Sequence, residues 1–208
     1  MREQTLQEER YNFGTHAFGF AMALLGSILL VITTITASKT AIFAVSLYGL
    51  SLCILYLVSS KYHHTQDPVK KLFYRKLDHI SIYVLIAGTY TPITLIFLTQ
   101  SKGLLLFYTV WSIALFGTVL KIFFTGRFEI ISLLLYVVMG WLIVFDFTAL
   151  QAAVSPMAIS LLIAGGAAYT GGIVFYVWNS LKYNHVVWHL FVLAGSICHF
   201  LCIYLELI

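Results

Sequence analysis

The chain has 208 residues, 61% of them hydrophobic and only 10% charged, with a formal net charge of +4. A soluble domain carries about 25% charged residues, so too little polar surface is available to cover a soluble globule. The same composition excludes a long disordered tail, a coiled coil and a disulfide scaffold, and the cations are split among short segments rather than gathered as a nucleic-acid footprint.

A membrane-spanning helix takes about 20 apolar residues, and seven such stretches follow one another in the chain. They run from Thr15 to Ile35, Ala41 to Ser60, Asp78 to Leu98, Leu104 to Phe124, Phe128 to Leu150, Pro156 to Val177 and His185 to Leu205. The expected fold is all-α, a seven-transmembrane helix bundle forming a single integral membrane domain over residues 1–208. The start, Met1 to Thr5, is too acidic and polar for a signal peptide, so the first stretch reads as a retained span. Most links are short, and the longest runs from Lys61 to Leu77. Tyr90-Thr91-Pro92 predicts a kink in the third helix. The pairs Gly165-Gly166 and Gly171-Gly172 permit close helix contact in the sixth. Cys53, Cys198 and Cys202 lie in apolar stretches and read as small hydrophobes.

Orientation follows from charge. With the N-terminus inside, the inner segments hold Arg2, Arg10, Lys61, Lys70, Lys71, Arg75, Lys76, Lys121, Arg127 and Lys182, and the outer ones only Lys39 and Lys102. The positive-inside rule then predicts a cytoplasmic N-terminus and a periplasmic or extracellular C-terminus. Trp178 and Trp188 bracket the inner start of the last helix as interfacial anchors.

This topology draws His16, His63, His64, His79, His185 and His189 to one inner layer and leaves His199 deeper in its helix. His185 and His189 are spaced i,i+4 and share a helix face, an arrangement that can hold a metal from one side. A catalytic zinc commonly takes three protein ligands. His63 arrives at similar depth as the third, with His64 a competitor, and paired histidines hydrogen-bonded within the bundle are the alternative. Ser59 shares a face with His63. Asp78 borders the hydrocarbon, where a carboxylate is costly and suggests function, although it would also serve as the N-cap of its helix. Asn12, Thr15 and His16 would form a hydrogen-bonded layer under the site. Glu129 is expected at a cytoplasmic loop edge, Asp146 facing the outer headgroups, and Glu206 in solvent.

The chain resembles the hemolysin III family, which is related to the progestin and adipoQ receptors and, more distantly, to alkaline ceramidases. The resemblance covers essentially the whole chain and rests on separated motifs in order: Glu9, Asn12, Thr15-His16 and Gly19; Ser59-Ser60-Lys61-Tyr62-His63; Leu77-Asp78-His79 through Tyr90-Thr91-Pro92; and His185, Trp188-His189, Ala194-Gly195-Ser196 and His199. It implies a zinc near the cytoplasmic side held by His63, His185 and His189, with Ser59 and Asp78 around its water. The small size and short loops look bacterial, with the inner membrane as location. The expected activity is metal-dependent hydrolysis of an amide or ester bond in a membrane lipid, with Asp78 taking a proton and Ser59 positioning water. The alternatives are a membrane-lipid homeostasis sensor with a structural zinc and a cytolytic or pore-forming protein. The absence of an amphipathic pore-forming segment speaks against the last, and the absence of a charge ladder at mid-membrane depth speaks against transport.

Overall fold

The computed structural model describes residues 4–208; Met1, Arg2 and Glu3, among them one of the cations counted above, lie outside the described residues. Seven helices are long and apolar enough to cross a membrane: α1 (Leu6–Thr34), α2 (Lys39–His64), α3 (Pro68–Phe97), α4 (Gly103–Phe124), α5 (Glu129–Ala153), α6 (Pro156–Val177) and α7 (Asn184–Leu205). No strand occurs among the described residues. Consecutive helices pack on one another, and α1 also packs on α7, which brings the two ends of the chain order together. The outside is apolar, with Phe18, Leu25, Ile32, Leu115, Phe123 and Leu134 all exposed. That is the inverse of a soluble surface and suits a lipid solvent.

Two helices begin well before their hydrophobic stretches. For α1, the Glu8 amide donates to Thr5 Oγ1 at 3.2 Å and the Thr5 amide donates to Glu8 Oε2 at 2.8 Å. This reciprocal capping box nucleates the helix among polar residues. Its polar first turns are not solvent-facing, because Glu8, Asn12 and His16 are buried. For α3, Asp67 is the N-cap, accepting the Lys70 amide at 2.9 Å, and Pro68 occupies the first turn, where its missing N–H costs nothing. The link expected over Lys61 to Leu77 therefore shrinks to residues 65–67. Asp78 lies inside α3 and is not an N-cap, so that alternative is corrected.

Irregular backbone appears where the sequence carries Pro and Gly. After Pro92 the α3 backbone widens into a π-helix over Ile93–Phe97. Thr94 Oγ1 donates to the Tyr90 carbonyl at 2.8 Å, occupying an acceptor near the disturbed ladder. After Gly140, α5 tightens into a 3₁₀ segment over Leu142–Asp146. There Tyr90 Oη takes the Ile143 amide at 2.8 Å and donates to the Gly140 carbonyl at 3.1 Å. Asp146 does not face outward as expected. It is buried and accepts Ser101 Oγ at 2.7 Å and the Lys102 amide at 2.8 Å, tying α5 to the start of α4. Glu206 is likewise engaged, accepting the Ser155 amide at 3.1 Å.

Gly19 sets the crossing of α1 with α2 and α7. A Cβ there would lie 2.6 Å from Tyr56 Cδ1 and 2.9 Å from Leu193 Cδ2. Tyr56 cannot swing away freely, because its hydroxyl donates to Ser196 Oγ at 2.7 Å. Gly19→Val is expected to destabilise the fold by about 1–3 kcal/mol through overpacking. A thermal melt in detergent indistinguishable from wild type would refute this.

Candidate metal centre

The start of α7 is pinned to α1 through Glu8. Tyr183, whose φ is 59°, ends the preceding turn in a left-handed conformation, and its amide donates to Glu8 Oε1 at 2.9 Å. Asn184 Nδ2 donates to the Phe175 carbonyl at 3.1 Å, fixing the same turn against α6. One turn of α7 beyond this anchor, His185 and His189 face the end of α2. There His63, His185 and His189 are all buried, and their ligand nitrogens lie within 4.8 Å of one another. That spacing is comparable with the ~4 Å across the shell of a single zinc ion.

The other ring nitrogens define tautomers. His63 Nδ1 lies 2.6 Å from Glu9 Oε2, a carboxylate oxygen, so Nδ1 carries the proton. Its Nε2 is buried without a hydrogen-bond partner. His189 Nδ1 lies 3.3 Å from the Asn12 carbonyl, which only accepts, and 3.1 Å from Thr15 Oγ1. Nδ1 is again the donor and Nε2 keeps its lone pair, the form in which imidazole binds a metal. A buried imidazole nitrogen left bare is costly. A bound cation would offset that cost, and the all-nitrogen donor set fits zinc. These three residues can bind a metal ion.

Ser59 and Asp78 stand in the same wall. With His16, His185 and His189 they line a cavity of about 40 Å³. Ser59 is buried and Asp78 half-buried. His16 stacks on His189 with ring centroids 3.5 Å apart and 12° between planes, and neither of its nitrogens has a partner. Of the expected hydrogen-bonded layer, Thr15 Oγ1 and the Asn12 carbonyl meet His189 Nδ1, whereas His16 stacks on the ring without a hydrogen bond. His64, the competitor for the third position, is exposed and packs on Phe13 at 5.0 Å, outside the cluster. Trp188, expected at the membrane interface, stands in the cavity wall.

A second cavity of about 130 Å³ lies between α3, α5, α6 and α7, lined largely by apolar groups such as Ile86, Leu133, Val137 and Ile173. Leu55, Ile82, Tyr176, Trp188 and Val192 line both cavities, so the apolar chamber adjoins the histidine site. Where the chamber meets α5, Glu129 stands at the loop edge as expected, the first residue of the helix, but it is not free. It accepts Lys121 Nζ at 2.7 Å and lies 3.5 Å from His79 Nδ1 and 3.8 Å from Arg75. His79, adjacent to Asp78, thus belongs to this ion-pair cluster and not to the metal ligands.

The sequence reading missed two carboxylates. Glu9 reaches His63 across 54 residues, and Lys71 Nζ lies 2.6 Å from its other oxygen. Its place in a polar helix start and in the first motif of the family resemblance offered a signal, but neither named His63 as its partner. Glu129 sits eight residues after Lys121, but across a turn, so no helical spacing marks the pair.

Comparison with known proteins places these features in context. Residues 4–200 match the model of the family described as Haemolysin-III related. The chain is 42% identical to the protein named Hemolysin-3 of Bacillus cereus, covering 96% of this chain and 92% of that protein. It is 40% identical to the Hemolysin-3 homolog of Bacillus subtilis (strain 168), covering 96% and 94%. At 26% identity it matches the human Monocyte to macrophage differentiation factor over 96% of this chain and 84% of that protein. No solved structure matches the chain.

Proposed function

The chain belongs to the haemolysin-III family as a multi-pass membrane protein, and from that premise we propose that it is a zinc-dependent hydrolase of amide or ester bonds in membrane lipids. The observation that carries this reading is three buried imidazoles with ligand atoms within 4.8 Å of one another, two of which, His185 and His189, line a cavity together with Ser59 and Asp78. His63, His185 and His189 would hold the ion, which when bound supplies Lewis acidity that polarises a carbonyl and eases ionisation of water.

The rest of the chemistry belongs to the chain. The adjoining apolar chamber takes the acyl chain and excludes water from it. The shared wall of Ile82, Tyr176, Trp188 and Val192 sets the scissile bond at the polar cavity. Asp78 accepts the proton of the attacking water and returns it to the leaving nitrogen or oxygen as the C–N or C–O bond breaks. The Ser59 hydroxyl orients the water by hydrogen bonding. The charge asymmetry supports a cytoplasmic position for this end of the bundle, within reach of lipid headgroups.

The test is turnover by purified, zinc-loaded protein in lipid vesicles containing N-acylated and O-acylated lipids, with fatty-acid release as the readout. Release is expected, and Asp78→Asn should lower it by about 10²- to 10⁴-fold with zinc content unchanged. Lipid binding without release from any amide or ester would overturn the hydrolase. It would favour the sensor reading, in which the same chamber and metal report lipid state without turnover.

A further inference from the structure

Three helix ends meet on one carboxylate. Glu9 projects from the first turn of α1, His63 lies in the last turn of α2, and Lys71 lies in the first turn of α3. Glu9 Oε2 is 2.6 Å from His63 Nδ1 and Glu9 Oε1 is 2.6 Å from Lys71 Nζ. The carboxylate is only 14% exposed and the His63 side chain 2%, so neither is left to water. Both Glu9 oxygens are occupied, and the one facing His63 can only accept. The proton on Nδ1 is therefore fixed, and the buried, partnerless Nε2 is the atom presented to the centre.

We propose that Glu9 is the positioning residue of the metal centre, acting through His63. It locks the imidazole in the tautomer and orientation that present Nε2, and its charge makes that nitrogen a stronger donor. This rests on the zinc reading above. Carboxylate partners of ligand histidines typically contribute 10- to 100-fold in metal affinity. Lys71 has a different part. It neutralises Glu9 from the half-exposed side and ties α3 to α1, without touching His63. A purely structural role for Glu9, as a tie between helices, would be undone equally by removing either partner of the Glu9–Lys71 pair. A positioning role would not.

The experiment measures zinc affinity by chelator competition, and the visible spectrum of the cobalt-substituted protein, for wild type, Glu9→Gln and Lys71→Met, each checked for retained folding by thermal melting. Glu9→Gln is expected to bind zinc about 10- to 100-fold more weakly, with an altered cobalt spectrum. Lys71→Met should stay within about threefold of wild type with the wild-type spectrum, since it leaves the metal side of that same shell intact. If Glu9→Gln does not fold, the double variant Glu9→Ala/Lys71→Met, which leaves no unpaired charge, is read in its place with the same expected loss. Wild-type affinity in the Glu9 variant, or an equal loss in Lys71→Met, would overturn the assignment while leaving the zinc site standing. A wild-type protein without zinc affinity would instead overturn the zinc reading on which it rests.

Discussion

His189→Ala is expected to lower zinc affinity by on the order of 10³-fold, the share of one ligand in the roughly 10–16 kcal/mol with which structural zinc sites bind. The residue is buried in the centre of the site, it is one of the three whose ligand atoms lie within 4.8 Å, and its Nδ1 already faces the Asn12 carbonyl. No neighbouring side chain replaces it. His16 lies flat against its face, so its ring plane does not pass through the same centre. The size of the loss separates ligand from neighbour. Thr15→Val removes only one of two partners of Nδ1 and should cost less than about tenfold, below the usual range for an outer-layer partner. His64→Ala, on the exposed side against Phe13, should leave affinity unchanged. Equilibrium competition with a chelator, on protein shown to be folded, measures all three. Equal affinities for His189→Ala and wild type would remove His189 from the metal centre.

Glu129→Ala is expected to be the most damaging single charge deletion in the protein, destabilising it by about 3 kcal/mol, the low end of what breaking a buried pair costs. Lys121 is fully buried while Glu129 is 31% exposed, and that partial exposure is the reason for the low end. The deletion strands the Lys121 ammonium inside the bundle. It also releases Arg75 and His79 from their common carboxylate, leaving groups that repel when charged. The cost comes from the orphaned ammonium rather than from a lost attraction, so removing the ammonium should repair it. Glu129→Leu/Lys121→Met is expected to recover to within about 1 kcal/mol of wild type, as apolar replacements of buried pairs commonly do. Thermal unfolding in one detergent, compared across the single and double variants, gives the answer. A single variant as stable as wild type would show that this cluster contributes nothing to the fold.

The seven helices and the His185–His189 pair were legible for the same reason: each is carried by local spacing. A run of about 20 apolar residues announces a span, and His185 with His189 announces one helix face. Depth in the alternating topology brought both His63 and His64 to the layer, and the family resemblance singled out His63. The helix starts were not legible from hydropathy. The first turns of α1 are polar yet inside the protein, where Glu8 meets Tyr183 and Asn12 meets His189. The start of α3 hid behind Lys70, Lys71 and Lys76, although Asp67-Pro68 carried a capping signal that composition outweighed. Asp146 was misplaced because it was weighed against its chain neighbours, and Glu129, at its loop edge as expected, had unforeseen partners for the same reason. Their partners, Ser101 from the turn before α4 in one case and His79 with Arg75 from α3 in the other, come from other parts of the chain. Local rules cannot price a charge whose counter-charge arrives by tertiary packing.

The central claim is one zinc ion held by three imidazoles beside Asp78 and Ser59. X-ray absorption at the zinc edge, on wild-type protein purified without chelators and quantified for metal per chain, tests it most directly. About one zinc per chain is expected, with three imidazole nitrogens at about 2.0–2.1 Å and one further light atom. Folded protein that carries no zinc, or zinc whose shell contains no imidazole, would contradict the account.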